Sequence, residues 1–360
     1  MRRTVRYPPP VNVLVTGATG FVGSAIAARL LSEGDTVHVL ARDSARAEPL
    51  AALGARVFTG SIGDPNEIAD AARGCKLVVH AAACASHRAT RHTLKWTNVA
   101  GTENVLNAAR HVGVARIVHL SCADVTLSGE DRVGWGEDRM PHGALLDEHA
   151  RTKRLAEDLA LSASGIEVCA LRPPLIWGPG DTTNLPSFCA EALAHGGVAL
   201  HGDGRNLLAT VHLDNLVDAV LDALAGGEVA GRAYYVADSE FLDAGEFYGM
   251  LSKACGVPPP RTSSAPVSVS LALAWARERV RGAGPWRTDV VRRARSTQFD
   301  VSRASHDFGW KARISVEDGM KMLSDWVGAK GGAKVVATMG RAPDGEASVR
   351  ATIDAANGTR

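Results

Sequence analysis

Three glycines near the start of the chain carry the first chemistry that residue type and spacing reveal. Gly17, Gly20 and Gly23 recur at intervals of three in Thr16-Gly17-Ala18-Thr19-Gly20-Phe21-Val22-Gly23. The apolar run Val13-Leu14-Val15 precedes them, and Ile26, Leu30 and Leu31 follow at helical spacing. Strand, tight turn and helix in that order make a cradle for phosphate. Gly17 permits the turn, Gly20 lets backbone approach a pyrophosphate, and Gly23 lets helix and strand pack closely. The helix N-terminus adds unpaired N–H groups and the positive end of its dipole. The pattern predicts a dinucleotide site.

The elements that must hold such a ligand follow at regular intervals. A second strand, Thr36 to Leu40, ends at Ala41-Arg42-Asp43. An acidic side chain at that end would take the ribose 2′-hydroxyl of NAD. Arg42 suits the 2′-phosphate of NADP, although Asp43 adjoins it, so the expected cofactor is NADP or NAD with a lean to NADP. A third strand, Ala55 to Phe58, leads into Gly60-Ser61-Ile62-Gly63-Asp64. A fourth, Lys76 to His80, ends in Ala81-Ala82-Ala83, small residues that let a cofactor lie against the backbone. Trp96 to Val112 reads as a helix with Val99, Val105, Leu106 and Ala109 on one face. The fifth strand, Arg116 to Leu120, runs into Ser121-Cys122-Ala123-Asp124-Val125. Strands alternating with helices predict an α/β fold with a doubly wound parallel sheet, its ligand groups at the carboxyl ends of the strands.

Composition narrows the class. The chain has 360 residues, room for one large α/β domain and a smaller one, and 46% of them are hydrophobic, enough for a sizeable core. The net charge of +1 argues against a nucleic-acid partner. The six cysteines, Cys75, Cys84, Cys122, Cys169, Cys189 and Cys255, contain no C-x-x-C pair. That spacing gives no metal site and suits a reducing, cytoplasmic setting. The N-terminal MRRTVRYPPP is basic without the apolar core of a signal peptide, and no apolar run reaches the roughly 18 residues of a membrane span.

Further segments sharpen the picture. TGATGFVG (16–23), GSIGD (60–64), VVHAAA (78–83), NVAGTENVLNAA (98–109), IVHLSCADV (117–125), ARTKRLAE (150–157) and LRPPLIWGPGD (171–181) succeed one another over about 300 residues. In order and spacing the chain resembles an extended short-chain dehydrogenase/reductase. Several details are similar to the 3β-hydroxysteroid dehydrogenase branch, with its sterol-4-carboxylate decarboxylating and long-chain β-keto acid reducing members. The resemblance implies an N-terminal extension (1–10), an NAD(P)-binding extended Rossmann domain (11–172), and a smaller substrate-binding domain (173–330) with elements returning to the sheet. Residues 331–360, rich in Gly, Ala and charge, are expected to be a mobile tail. A homodimer and a small hydrophobic substrate are also implied. So are cofactor contacts from Gly17, Thr19, Gly20, Phe21, Val22 and Gly23 at the pyrophosphate, Arg42 at the ribose, and Ser61 and Ile62 at the adenine. Ser61 stands where the family usually has Asp. Ala81, Ala82 and Ala83 line the nicotinamide side, with Pro173 and Ile176 as its wall, and Asn98 is the structural asparagine behind the site.

The catalytic positions depart from that family. Its chemistry uses Tyr-x-x-x-Lys with a Ser or Thr: the lysine lowers the phenol's pKa and holds the ribose, and the phenol passes the proton. Lys153 is present, but His149 stands where tyrosine should. The chain's tyrosines, Tyr7, Tyr234, Tyr235 and Tyr248, are all far from Lys153 in sequence. The hydroxyl position falls on Cys122, with Ser121 before it. Three readings compete: His149 as replacement acid/base, aided by Ser121 or Cys122; a non-redox isomerisation or cyclisation in the same pocket; or cofactor binding with degenerate catalysis. An unperturbed imidazole titrates near about 6.5, and a neighbouring Lys⁺ lowers that, leaving a better base than acid. Cys122 reads better as a small apolar wall than as a nucleophile.

On the substrate side, Ser86, Asp124, Trp177, Arg205 and Leu208 are the candidates. Leu208 stands where nucleotide-sugar enzymes carry a diphosphate-binding arginine, which points to an apolar substrate. Asn215 also resembles the steroid branch, and Arg205 is a candidate contact for a carboxylate. Residues 267–280, apolar and then charged, read as a lid or core helix, or as one that makes weak contact with a membrane surface.

Overall fold

The computed structural model describes residues 10–85, 89–263, 266–281 and 286–339. The chain opens with β1 (Asn12–Thr16), α1 (Phe21–Ser32), β2 (Thr36–Ala41), a short α2 (Glu48–Ala52) and β3 (Arg56–Thr59). It continues through α3 (Pro65–Ala72), β4 (Leu77–His80), α4 (Arg91–Lys95), α5 (Gly101–His111) and β5 (Arg116–Leu120). Then come β6 (Arg132–Trp135), α6 (Glu148–Leu161) and β7 (Glu167–Arg172). The expected single helix over 96–112 is interrupted: Trp96–Ala100 forms a π-turn before α5, and Val99 is only half-buried, while Val105 and Ala109 are fully buried. Such a turn inserts one extra residue per turn and swings its side chains out of helical register.

The second half holds β8 (Leu175–Trp177), α7 (Leu185–His195), β9 (Leu207–Leu208), β10 (Thr210–His212), α8 (Leu213–Ala225) and β11 (Arg232–Tyr235). After them come β12 (Leu242–Asp243), α9 (Ala244–Cys255), α10 (Val267–Arg281), α11 (Trp286–Ala294) and β13 (Thr297–Phe299). The described chain closes with α12 (Ser302–Phe308), α13 (Val316–Ala329) and α14 (Ala333–Met339).

Seven strands pair in the order β11-β7-β5-β4-β1-β2-β3, every neighbour parallel. Both faces are covered, so the strands are almost continuously apolar. Alternation along β1 sends Val13 and Val15 to one face, with Ile26, Leu30, Leu216 and Val220 from α1 and α8. Leu14 goes to the other, with Ile68, Val105 and Val168. The chain winds outward through β2 and β3 and returns to the opposite side of β1 with β4. The carboxyl ends of β1 and β4 therefore flank the crevice where ligands bind in such sheets.

A second core gathers Phe188, Phe247, Leu251, Leu323 and Val336 from α7, α9, α13 and α14. Asp238 joins it to the sheet: its carboxylate accepts from Trp177 Nε1, Thr210 Oγ1, the His212 amide and Asn215 Nδ2 at 2.8–3.0 Å. The mobile tail expected from residue 331 is corrected here in part. Ala333–Met339 is helical and lies on α7 and α13 with Val336 fully buried, because that stretch has an apolar face to hide. Residues 340–360 lie outside the described residues.

Candidate active site

The glycine turn closes as stereochemistry demands. Gly17 has φ +72°, and a Cβ on it would lie 2.6 Å from the Ala82 nitrogen. The turn from β1 is thus pressed against Ala81 and Ala82 at the end of β4, where only glycine fits. A Cβ on Gly23 would lie 2.3 Å from the Gly17 carbonyl oxygen, so α1 could not approach β1 with any larger residue. Gly20 caps α1 without a side chain, and no acidic residue stands in the first turn, where Phe21 and Val22 lie half-buried. The leading N–H groups of α1 are thereby left to an anion, the arrangement a pyrophosphate requires.

At the end of β2, the exposed Asp43 carboxylate accepts from the Ala45 amide at 3.0 Å and caps the turn Ser44–Ala47. Arg42 is exposed beside it. Arg46, missed in the sequence, donates to the Thr19 carbonyl of the glycine turn at 3.4 Å and lies near enough to Arg42 for their charges to interact. Ser61 and Ile62 are engaged locally. The Ser61 hydroxyl accepts from the Gly63 amide at 3.1 Å, and a Cβ on Gly101 would lie 2.6 Å from Ile62 Cδ1.

Helix α6 carries the catalytic candidates. Asp147 caps it, accepting from the Ala150 amide at 2.7 Å. Lys153 is buried, and its Nζ donates to the Leu120 carbonyl at 2.5 Å, immediately before Ser121. Burial lowers the Lys153 pKa, opposed by Cys122 and Glu157. His149, one turn earlier and half-buried, is held at about 4, by burial first and then by Lys153 and Arg292, against the raising influence of Asp124 and Asp147. It is a neutral base at neutral pH. Burial drives the Cys122 thiol up to about 12, which rules out a ready thiolate and leaves a small wall. The Ser121 hydroxyl is buried with no hydrogen-bond partner among the described residues. Behind the site Asn98 Oδ1 accepts from the Cys84 amide (2.7 Å), while its Nδ2 donates to the Cys84 carbonyl and Thr152 Oγ1 (3.1 Å each).

The substrate candidates divide. Pro173 is buried, its carbonyl accepting from the Ala123 amide at 2.9 Å, and half-buried Ile176 pairs with Val211. Trp177 is corrected: it is 3% exposed, bonded to Asp238, and stacked edge-on against His212 and Phe247, so it is a core residue. Leu208 likewise packs in the second core. Asn215 is an internal brace whose Oδ1 accepts from the Arg313 and Ile314 amides. Arg205 lies exposed on a loop turned by Asp203. Ser86 lies outside the described residues. Asp124 is not free: Arg292 of α11 donates to its Oδ2 at 2.7 and 3.2 Å, and Arg132 stands 3.9 Å from its Oδ1. With burial opposing, these cations hold Asp124 at about 2. Neither arginine was singled out from the sequence: Arg292 lies 168 residues from Asp124, and Arg132, though near it along the chain, forms no periodic pattern with it. Among the described residues no cluster of His, Cys, Asp or Glu could hold a metal ion.

The model of the 3-beta hydroxysteroid dehydrogenase/isomerase family matches residues 14–267. A 2-alkyl-3-oxoalkanoate reductase of Shewanella oneidensis is 32% identical over 87% of this chain and 85% of its own. A 3 beta-hydroxysteroid dehydrogenase/Delta 5→4-isomerase of Mycobacterium tuberculosis is 28% identical over 86% of this chain and 88% of its own. Among solved structures, a dTDP-glucose 4,6-dehydratase of Streptomyces venezuelae with NAD bound superposes with TM-score 0.70 and 26% identity, covering 89% of this chain and 97% of that one.

Proposed function

The chain belongs to the 3-beta hydroxysteroid dehydrogenase/isomerase family and is an enzyme of the extended short-chain dehydrogenase/reductase type, and from that premise we propose that it interconverts a hydroxyl and a ketone on a hydrophobic substrate with NADP or NAD. The substrate class is a steroid, polyketide or fatty-acid derivative. One observation carries the reading: Lys153 is pinned to the end of β5 beside the Ser121 hydroxyl, which has no partner among the described residues, with His149 one turn before it on the same helix.

A nicotinamide cofactor supplies or accepts the hydride when bound. Gly17, Gly20, Gly23 and the start of α1 would hold its pyrophosphate, and Lys153 would hold its ribose. The Ser121 hydroxyl orients the substrate oxygen by a hydrogen bond. His149, neutral at neutral pH, takes the alcohol proton on its ring nitrogen. In the reverse direction the imidazolium returns the proton, less favourably because a pKa of about 4 leaves little of it charged. The paired cations Arg42 and Arg46, with Asp43 tied up as a cap, support NADP. Exposed Val269, Leu273, Trp275 and Val280 on α10, with Arg279 over the Trp275 ring at 4.7 Å, support weak contact with a membrane surface that carries such a substrate.

The test is His149→Phe with turnover followed by the near-ultraviolet absorbance of the reduced nicotinamide. We expect kcat to fall by about a hundredfold or more. Full activity would remove His149 from the mechanism, and product forming without any absorbance change would replace oxidoreduction by isomerisation.

A further inference from the structure

Two carboxylates meet where the segment after β5 lies against α6. Asp124 stands in the turn Ala123–Thr126, two residues beyond Cys122, and α6 packs against that turn. Asp147 caps α6 two residues before His149. One terminal nitrogen of Arg292, from α11, joins the pair. It donates to Oδ2 of Asp124 at 2.7 Å and lies 3.6 Å from Oδ2 of Asp147. Arg292 Nε also donates to Oδ2 of Asp124, at 3.2 Å, whereas Oδ1 meets Arg132 at 3.9 Å. The Arg292 guanidinium thus covers one edge of the Asp124 carboxylate and not the other. Arg132 is spent on the Ala123 carbonyl at 2.6 Å and Thr126 Oγ1 at 3.2 Å.

The charges that face His149 are of both signs. Asp124 and Asp147 favour its imidazolium, while Lys153, one turn along α6, and Arg292 oppose it. After burial, Asp124 exerts the largest of these influences. The cations are themselves faced by acids: Glu157 acts on Lys153, and Asp289 on Arg292. From α4, Arg91 is bonded to Glu148 at 2.6 Å. Burial opposes the ionisation of Asp124, but Arg292 and Arg132 hold it at about 2, so it is an anion at neutral pH.

The exchange of tyrosine for histidine explains why an anion is needed there. A phenol becomes an anion when it gives up its proton, and a neighbouring lysine suffices to stabilise it. An imidazole becomes a cation when it takes a proton, and the same lysine then works against it. We propose that Asp124 is a positioning residue that acts through His149, as the counter-ion of the imidazolium formed when the ring takes the substrate's proton, and that Arg292 sets how much of its charge the ring feels. The proposal rests on the reading of His149 as the base. As hydride leaves the carbinol carbon, the O–H bond breaks, the proton binds a ring nitrogen and the carbon–oxygen bond becomes a carbonyl. The new positive charge then lies near a carboxylate that was already ionised, as in other His–Asp pairs.

The experiment reads the ring directly. The His149 imidazole is titrated by NMR in the full-length protein saturated with NADP, its resonance identified by its loss in His149→Phe. The same proteins are assayed for kcat/KM against pH with 2-decanol, a hydrophobic secondary alcohol. Arg292→Gln is expected to raise the midpoint of the ring by roughly one pH unit, and Asp124→Asn to lower it. The double variant should titrate below Arg292→Gln, and Asp124→Glu, which keeps the charge, should stay near the wild type. Both single variants break the same ion pair, so a merely structural role would move them in one direction. Shifts of the same sign overturn the proposal, as does a double variant that titrates with Arg292→Gln. If Asp124→Asn does not fold, an unmoved midpoint in Arg292→Gln overturns it alone. The two arms separate this proposal from the reading beneath it. Midpoints that move as expected while the acid limb of kcat/KM stays put keep Asp124 as counter-ion and remove His149 as the base. An acid limb that follows His149 but ignores Asp124→Asn does the reverse.

Discussion

At the scale of single residues, the site is made by side chains whose ordinary chemistry has been displaced. Cys122 is kept a thiol by burial, and His149 is kept neutral by burial beside two cations. The 2′-position of the cofactor is where charge should matter most. Arg42 and Arg46 stand together at the end of β2, with the exposed Asp43 carboxylate engaged as a cap. Replacing both arginines by alanine should lower the selectivity for NADPH over NADH by about ten- to a hundredfold, since charged hydrogen bonds of roughly 1.5–3 kcal/mol are lost with the 2′-phosphate only. Comparing kcat/KM for the two cofactors checks this, and an unchanged ratio would place the 2′-position elsewhere. Arg42 was legible at its place after a strand. Arg46 was not, because its tie to Thr19 spans 27 residues and leaves no local pattern.

At the scale of elements, α6 matters most, since it carries both His149 and Lys153. Three ties orient it. Arg172 on β7 forks onto Glu157 at 2.6–3.1 Å, Lys153 reaches Leu120, and Thr152 accepts from Asn98. Asn98 belongs to the π-turn, and that irregularity is what brings its amide to both Cys84 and Thr152. Asn98→Ala should cost about 2–4 kcal/mol, because it leaves buried partners unmatched. Urea unfolding would measure that loss, and cofactor affinity should fall with it as α6 and the end of β4 lose their common brace. The helix itself was readable from the sequence; its π-turn was not, because periodicity does not announce one extra residue in a turn. The end of the chain gives a second case. A chain ending at Gly332 should be less stable than one ending at Met339 by a few kcal/mol, roughly the burial of Val336 and its neighbours, and a lower Tm would show it.

At the scale of the molecule, buried imidazoles govern the response to acid. His80 is fully buried between Thr16 Oγ1 and Thr102 Oγ1, and burial, then Lys153, holds it at about 3. His119 lies 5.2 Å from it, with both ring nitrogens buried and unpaired among the described residues, and burial drives it well below the ordinary range. In the unfolded chain both take up protons as pH falls through about 6.5, whereas the folded state does not until it is far more acidic. Their depressed values therefore leave stability intact above about 6.5 and remove it as pH falls toward 3. Each can contribute up to about 1.4 kcal/mol per pH unit in that window. Melting the protein at pH about 7, 6 and 5 should show Tm falling steadily, and a flat profile would mean that these rings are hydrated or paired in solution.

The sequence by itself determined what depends on neighbours along the chain. Alternating apolar strands and helices, and three glycines at fixed spacing, follow from backbone sterics and periodicities of a few residues; hence the parallel sheet and the nucleotide turn were legible before any coordinates. The His149 and Lys153 pair was legible for the same reason, being one helical turn apart. Only the tertiary structure decided which charges meet. Asp124 and Arg292 are 168 residues apart, and Trp177 and Asp238 are 61 apart. Coulomb attraction and burial depend on distance in space, which a linear pattern does not encode. The tertiary structure therefore moved Trp177 from the substrate candidates into the core and paired Arg292 with Asp124.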